Sequence, residues 1–240
     1  MAQWRVHVQG QQFDLEGLRE ILPDGDPSII QDGSNFYLTS AEWNQSDNAR
    51  EIHVRAEEFI ELLEDVAYIH FRHTVPLTIG GVVRVDENGL KHHVIIAAHG
   101  TLNATLQAVR LRATGTVGGP EKQAGEVRHE HPVVKLLSAA KRNSNVKDAL
   151  KFYRKGDWIS LYKAYELVSD EVCGKREIIS RKWISATSLD RFSQMAQSRA
   201  GLGDDARHAS KKYKPPAKSI SLTEAKNIIG TLLQNWINSL

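Results

Sequence analysis

Hydrophobic and polar positions in the first half of the chain alternate mainly with period two, the signature of half-buried strands. Residues 1–8 alternate in this way, and 36–39 and 68–71 are short runs rich in aromatic and β-prone residues. A longer run, 77–85, leads through Asp86-Glu87-Asn88-Gly89 into 90–98. This predicts a hairpin whose Asn-Gly supplies the positive φ of a tight turn. Residues 105–114 alternate again. One helix is predicted to interrupt the sheet over 55–66, where Phe59, Leu62 and Leu63 recur at helical spacing while Glu57, Glu58, Glu61, Glu64 and Asp65 occupy a solvated face. A second short helix is expected at 15–22.

Residues 118–126, Gly-Gly-Pro followed by polar residues, carry no apolar period and read as a linker. Beyond it the period becomes helical. Segments 134–141 and 146–154 form a helical pair, and Asp157 is placed to cap a helix in which Trp158, Tyr162 and Tyr165 recur at i, i+4 and i+7. Ser188 is expected to cap a helix ending near 197, and a further helix is expected over 204–212, closed by Pro215-Pro216. Ser221-Leu222-Thr223-Glu224 is a capping box. The helix it opens carries Ile228, Ile229, Leu232, Leu233, Trp236, Ile237 and Leu240 on an apolar face that must dock, on its own bundle or on a partner. The fold class expected is α+β: an acidic, antiparallel β-rich domain with one or two helices (1–117), a linker (118–133) and a basic all-α bundle (134–240).

Charge sharpens that division. Residues 1–133 hold 11 Lys+Arg against 19 Asp+Glu, net −8, whereas 134–240 hold 20 against 10, net +10. The halves can attract each other, or the basic one can meet a polyanion. A hydrophobic content of 41% and a charged content of 25% are those of a globular protein, which excludes disordered and fibrous classes. The single cysteine, Cys173, excludes an intramolecular disulfide and a Cys-based zinc site, and fits a reducing compartment. No signal-peptide order and no apolar run near the roughly 18 residues that span a bilayer occurs, so a cytoplasmic protein without a membrane partner is expected.

The densest positive charge lies in residues 207–218. Arg207, Lys211, Lys212, Lys214 and Lys218 could neutralise phosphates of RNA or DNA while Tyr213 stacks on a base. The same residues also suit a solvated helix end whose lysines complement the helix dipole, or a contact with the acidic half. The ten histidines suggest no metal site. His70 and His73 in a strand would face opposite sides, as would adjacent His92 and His93, and His129 with His131 supply only two ligands on a linker. Gly80-Gly81 precedes a valine-rich strand, so it reads as a bulge and not as a phosphate loop. Trp158, Tyr162 and Tyr165, like Trp183 and Trp236, read as packing in preference to a stacking platform. No cofactor fingerprint is present.

The segment 158–166, the helical pattern after it and Ala206-Arg207-His208-Ala209 before the closing helix resemble the HEPN superfamily, helical domains common in bacterial toxins, defence proteins and CRISPR-associated ribonucleases. The resemblance covers residues 134–240. It implies a component of a bacterial defence or toxin-like system. Nucleases of that superfamily carry an Arg followed four to six residues later by His, and no pair here has that spacing. The expected function is therefore a non-catalytic binding or adaptor protein contacting nucleic acid or a partner protein, with the last helix as a homodimer or partner-protein interface. The alternative is a metal-independent ribonuclease homodimer using Arg207 and His208.

Overall fold

The computed structural model describes residues 3–22, 25–94, 131–210 and 212–240. The expected strand 105–114, the linker 118–130, His99 and His129 lie outside the described residues, as does Lys211. The described chain is α+β, an antiparallel sheet followed by a helical region.

Strand β1 (Gln3–Gln9) sends Trp4, Val6 and Val8 into the core and leaves its alternate residues half-exposed. It lies at the centre of a five-stranded sheet with β2 (Ser28–Asp32), β3 (Asn35–Thr39), β4 (Thr78–Val85) and β5 (Lys91–Val94), in the order β2-β3-β1-β4-β5. All pairs are antiparallel. Opposite His7 the register slips by one residue at Gly80-Gly81, the bulge expected there. A Cβ on Gly80 would lie 2.7 Å from His7 Nδ1, so glycine is required for the strands to approach. In the β4–β5 turn Gly89 alone adopts positive φ, +80°.

Helix α1 (Gln12–Ile21) leans on β2, while α2 (Ala49–Phe71) crosses β1 and β4. Asn48 caps α2 by accepting from the backbone N–H of Arg50 and Glu51. The helix is longer than 55–66, and residues 68–71, expected as a strand, are its last turn. Ile52, Ala56, Phe59, Leu63, Val66 and Ile69 continue one buried stripe, and packing along that stripe overrides the local β preference. His70 and His73 consequently sit at a helix end and not across a strand. His70 meets the His131 ring at 5.1 Å, and Arg72 closes the helix with φ +62°. The acidic face is also less solvated than expected, because Glu64 and Asp65 turn inward against the helical region.

That region comprises α3 (Pro132–Arg142), α4 (Ser144–Lys155), α5 (Trp158–Glu171), α6 (Lys175–Ser180), α7 (Ala186–Gln197), a single turn α8 (Arg199–Leu202) and α9 (Leu222–Asn238). His131 Nδ1 accepts from Val133 N at 3.3 Å to cap α3, and Asp157 caps α5. Ser185, one turn ahead of Ser188, caps α7. The expected helix 204–212 does not form. A 3₁₀ turn, Gly203–Asp205, gives way to an extended strap, since Asp204 to Lys212 offer no apolar stripe to bury. The capping box at Ser221 and Glu224 is present. The apolar face of α9, including Ile229, Leu232, Leu233 and Trp236, is buried against α4, α5 and α7 of the same chain. That face is therefore taken largely by its own bundle, with Leu240 at its end remaining exposed.

Helix α2 joins the two regions. Its far side packs on α3 and α4, and one contiguous cluster of buried residues runs from Trp4 to Ile237. Arg154 of α4 reaches Glu64 Oε2 and Asp65 Oδ1, each at 2.5 Å, and Arg72 donates to the Tyr153 hydroxyl. Burial pushes the Asp65 carboxyl up to about 6 despite Arg154.

Candidate nucleic-acid interface

Residues 206–210 and 212–220 form a strap over the outer surface of α7 and α8, and backbone groups hold it there. Arg207 N donates to Ala196 O at 2.9 Å. Arg199 Nη1 donates to Ala209 O at 3.3 Å, and Ser198 Oγ to Tyr213 O at 3.0 Å. Arg191 donates to Lys218 O and Ser219 O at 3.2 and 3.0 Å. Ala206, Pro216 and Ile220 are the buried pegs between these latches. Donors on the bundle thus satisfy strap carbonyls that a helix would have bonded internally.

With the backbone spent on attachment, most of the strap's cationic side chains project outward. Lys212, Lys214 and Lys218 are exposed, and among the described residues no carboxylate lies within ion-pair distance of them. Lys212 Nζ instead lies 4.9 Å from the centre of the Tyr213 ring. Tyr213 is half-buried and stacks on His208, with ring centres 4.8 Å apart and planes inclined by 18°. The ring therefore already contacts an imidazole and an ammonium.

Arg207 differs from the lysines. Its guanidinium lies over the Tyr162 ring at 4.5 Å and Nη2 donates to Glu166 Oε1 at 2.5 Å. Its other terminal nitrogen is 3.5 Å from His208 Nε2. The adjacent Arg207 and His208 are thus brought together, but around Tyr162 and Tyr213 and with the cation neutralised by Glu166. Among the described residues no hydrogen bond or ion pair joins the strap to the acidic sheet; its polar contacts to the rest of the chain go to the helical region.

Trp158, Tyr162 and Tyr165 pack around Phe192 at ring distances of 6.1 to 6.3 Å, with Tyr162 and Tyr165 5.5 Å apart, and are almost wholly buried, a bundle core as expected. Burial accordingly raises the Tyr165 phenol above its usual range. The polar edge of Tyr162 faces the strap side of this core. Its hydroxyl accepts from Gln197 Nε2 at 3.0 Å, and the same amide nitrogen meets Ser193 Oγ at 2.9 Å.

Gln197 and Gln194, three residues apart on α7, form one wall of a surface cleft of about 350 Å³ whose other wall is Lys212, Tyr213, Lys214 and Pro215. Sequence reasoning missed both glutamines, and it missed Glu166. The two amides share a helix face, a signal available in principle, but nothing local says that this face meets the strap. Among the described residues no group of three His, Cys, Asp or Glu could hold a metal ion, and no helix is long and apolar enough to cross a membrane. No protein-family model, curated protein or solved structure matches this chain.

Proposed function

We propose that this chain is a non-catalytic nucleic-acid-binding protein whose strap, residues 207–218, lies along a phosphate backbone. The observation that carries the reading is the contrast within the strap. Its backbone is anchored to α7 and α8, while among the described residues Lys212, Lys214 and Lys218 project from it with no carboxylate at ion-pair distance, Lys218 feeling only the longer-range charge of Glu224. Cations fixed in position but left unneutralised are what binding with release of condensed counterions requires. The excess positive charge of the helical half would add long-range attraction. The resemblance to HEPN domains, and with it a place in a bacterial defence or toxin-like system, is compatible with this role.

The ribonuclease alternative would use Arg207 as a phosphate cation and His208 as the proton carrier. Arg207 would first have to leave Glu166 and Tyr162, which speaks for binding over cleavage.

The test is binding of labelled single-stranded RNA and duplex DNA across a salt series, with the gels also read for cleavage products. Salt-sensitive binding without products is expected. Lys212→Glu/Lys214→Glu/Lys218→Glu should flatten the log–log salt slope by about two to three. Cleavage that His208→Ala abolishes would establish the enzyme instead. Absence of binding at low salt would overturn both readings and leave a protein as the strap's partner.

A further inference from the structure

Two readings of the strap lead to different ligands. A plain basic track would bind any polyphosphate, duplex included. The cleft between α7 and the strap contains more than charge, and, resting on the binding role above, we propose that it seats one unpaired base of a single-stranded nucleic acid, with Lys212 and Lys214 on the flanking phosphates. The ligand is thus a single strand, and the protein distinguishes a base-bearing strand from a bare phosphate chain.

The wall chemistry supports this. Gln197 Nε2 is engaged by Tyr162 and Ser193, which fixes the amide and leaves Oε1 as an oriented acceptor. Tyr162 is itself immobilised by the buried cluster with Trp158, Tyr165 and Phe192 and by Arg207 above its ring. Gln194, exposed on the same helix face and without a hydrogen bond among the described residues, offers both a donor and an acceptor. A Watson–Crick edge presents donors and acceptors together, and it reaches protein amides only when the base is unpaired and splayed from the strand. The opposite wall supplies Pro215 and the Tyr213 ring, which its stacking on His208 holds in place. At about 350 Å³ the cleft is at the small end of small-ligand sites, a scale that suits one nucleobase and not a duplex.

The experiment compares the intact protein with four probes by fluorescence anisotropy. They are a dA 12-mer, a 12-mer of the same length and charge with abasic sites throughout, a 12-base-pair duplex, and free adenosine monophosphate as competitor. The base-bearing strand should bind about tenfold or more tightly than the abasic one. Gln194→Ala should weaken the dA strand by about three- to tenfold while leaving the abasic strand and the salt slope unchanged. Lys212→Ala/Lys214→Ala should weaken both strands and flatten the slope. The monophosphate should displace the strand only at far higher concentration, since it lacks the linked neighbouring phosphates.

Equal affinity for abasic and base-bearing strands, or tighter binding of the duplex, overturns the base site and leaves the phosphate-track role standing. Competition by the monophosphate at concentrations comparable to the strand overturns the strand and makes the ligand a free nucleotide. No binding of any probe overturns the binding role itself, and the cleft's base site with it.

Discussion

Arg207 shows how one side chain can be diverted from the role its sequence suggests. In a run of five cations it reads as a phosphate ligand, yet its guanidinium is held by Glu166 and spread over the Tyr162 ring. A planar cation can do both at once, whereas a lysine ammonium cannot. Arg207→Ala should therefore lower unfolding stability by about 1 kcal/mol, the sum of a partly exposed ion pair and one cation–π contact, as measured by urea titration. It should leave the salt slope of nucleic-acid binding nearly unchanged, unlike loss of the lysines. The Arg207-His208 pair was legible in the sequence, but its partners were not. Glu166 lies 41 residues earlier, and only the strap's path over α7 brings it near. Long-range neutralisation of a charge leaves no local pattern.

Among the elements, the legible ones carry their own boundary signals. Helix α9 announced itself by Ser221 and Glu224, whose reciprocal bonds to backbone N–H groups measure 2.9 and 3.1 Å. Ser221→Ala should cost about 1 kcal/mol, read as a fall in the urea midpoint at constant m. Where a boundary depended on distant packing the sequence misled. Tyr68-Ile69-His70-Phe71 looks like a strand in isolation, and its helical state is set by Ile69, buried in the stripe of α2. Segment 204–212 erred the other way, with good helix formers but no face to bury, so Arg199 claimed the Ala209 carbonyl and Ser198 that of Tyr213 just beyond it. Gly156 ends α4 with φ +68°, a conformation that L-residues resist. Gly156→Ala should thus destabilise by about 1 kcal/mol, by the same titration.

At the scale of the whole molecule the charge division of the sequence is real, and among the described residues the two halves meet at Lys141, which faces Asp26 and Glu42, and most deeply at the α2–α4 contact. Asp65 and Glu64 of α2 face Arg154 of α4, with Lys151 and Glu61 nearby. Removing only the cation strands a buried carboxylate, so Arg154→Ala should cost about 3 kcal/mol or more in unfolding free energy. Asp65 also sets a pH dependence whose sign follows from its raised pKa. The folded state holds the proton up to about pH 6, whereas an unfolded aspartate releases it near pH 4. Between those values the folded form binds more protons, and its stability falls as pH rises, by about 3 kcal/mol in total before levelling off. Half-buried carboxylates held low by their partners, such as Asp32 and Asp86, act in the opposite sense. The contribution of Asp65 is therefore read as the difference between the parent and Asp65→Asn in denaturation at pH 4.5 and 7.5. The variant should lack this loss. The sequence could assign the opposite signs to the two halves, but not the α2–α4 contact that sets their meeting place.

The manner in which the strap is fastened separates what the fold needs from what a ligand would see. Arg191, Ser198 and Arg199 grip carbonyl oxygens, which every residue possesses, and the pegs are Ala206, Pro216 and Ile220. The letters at positions 212, 214 and 218 are consequently almost free of folding constraint. Selection could rewrite them to alter or even invert ligand preference while the scaffold stayed the same, much as a label is changed without opening the bottle.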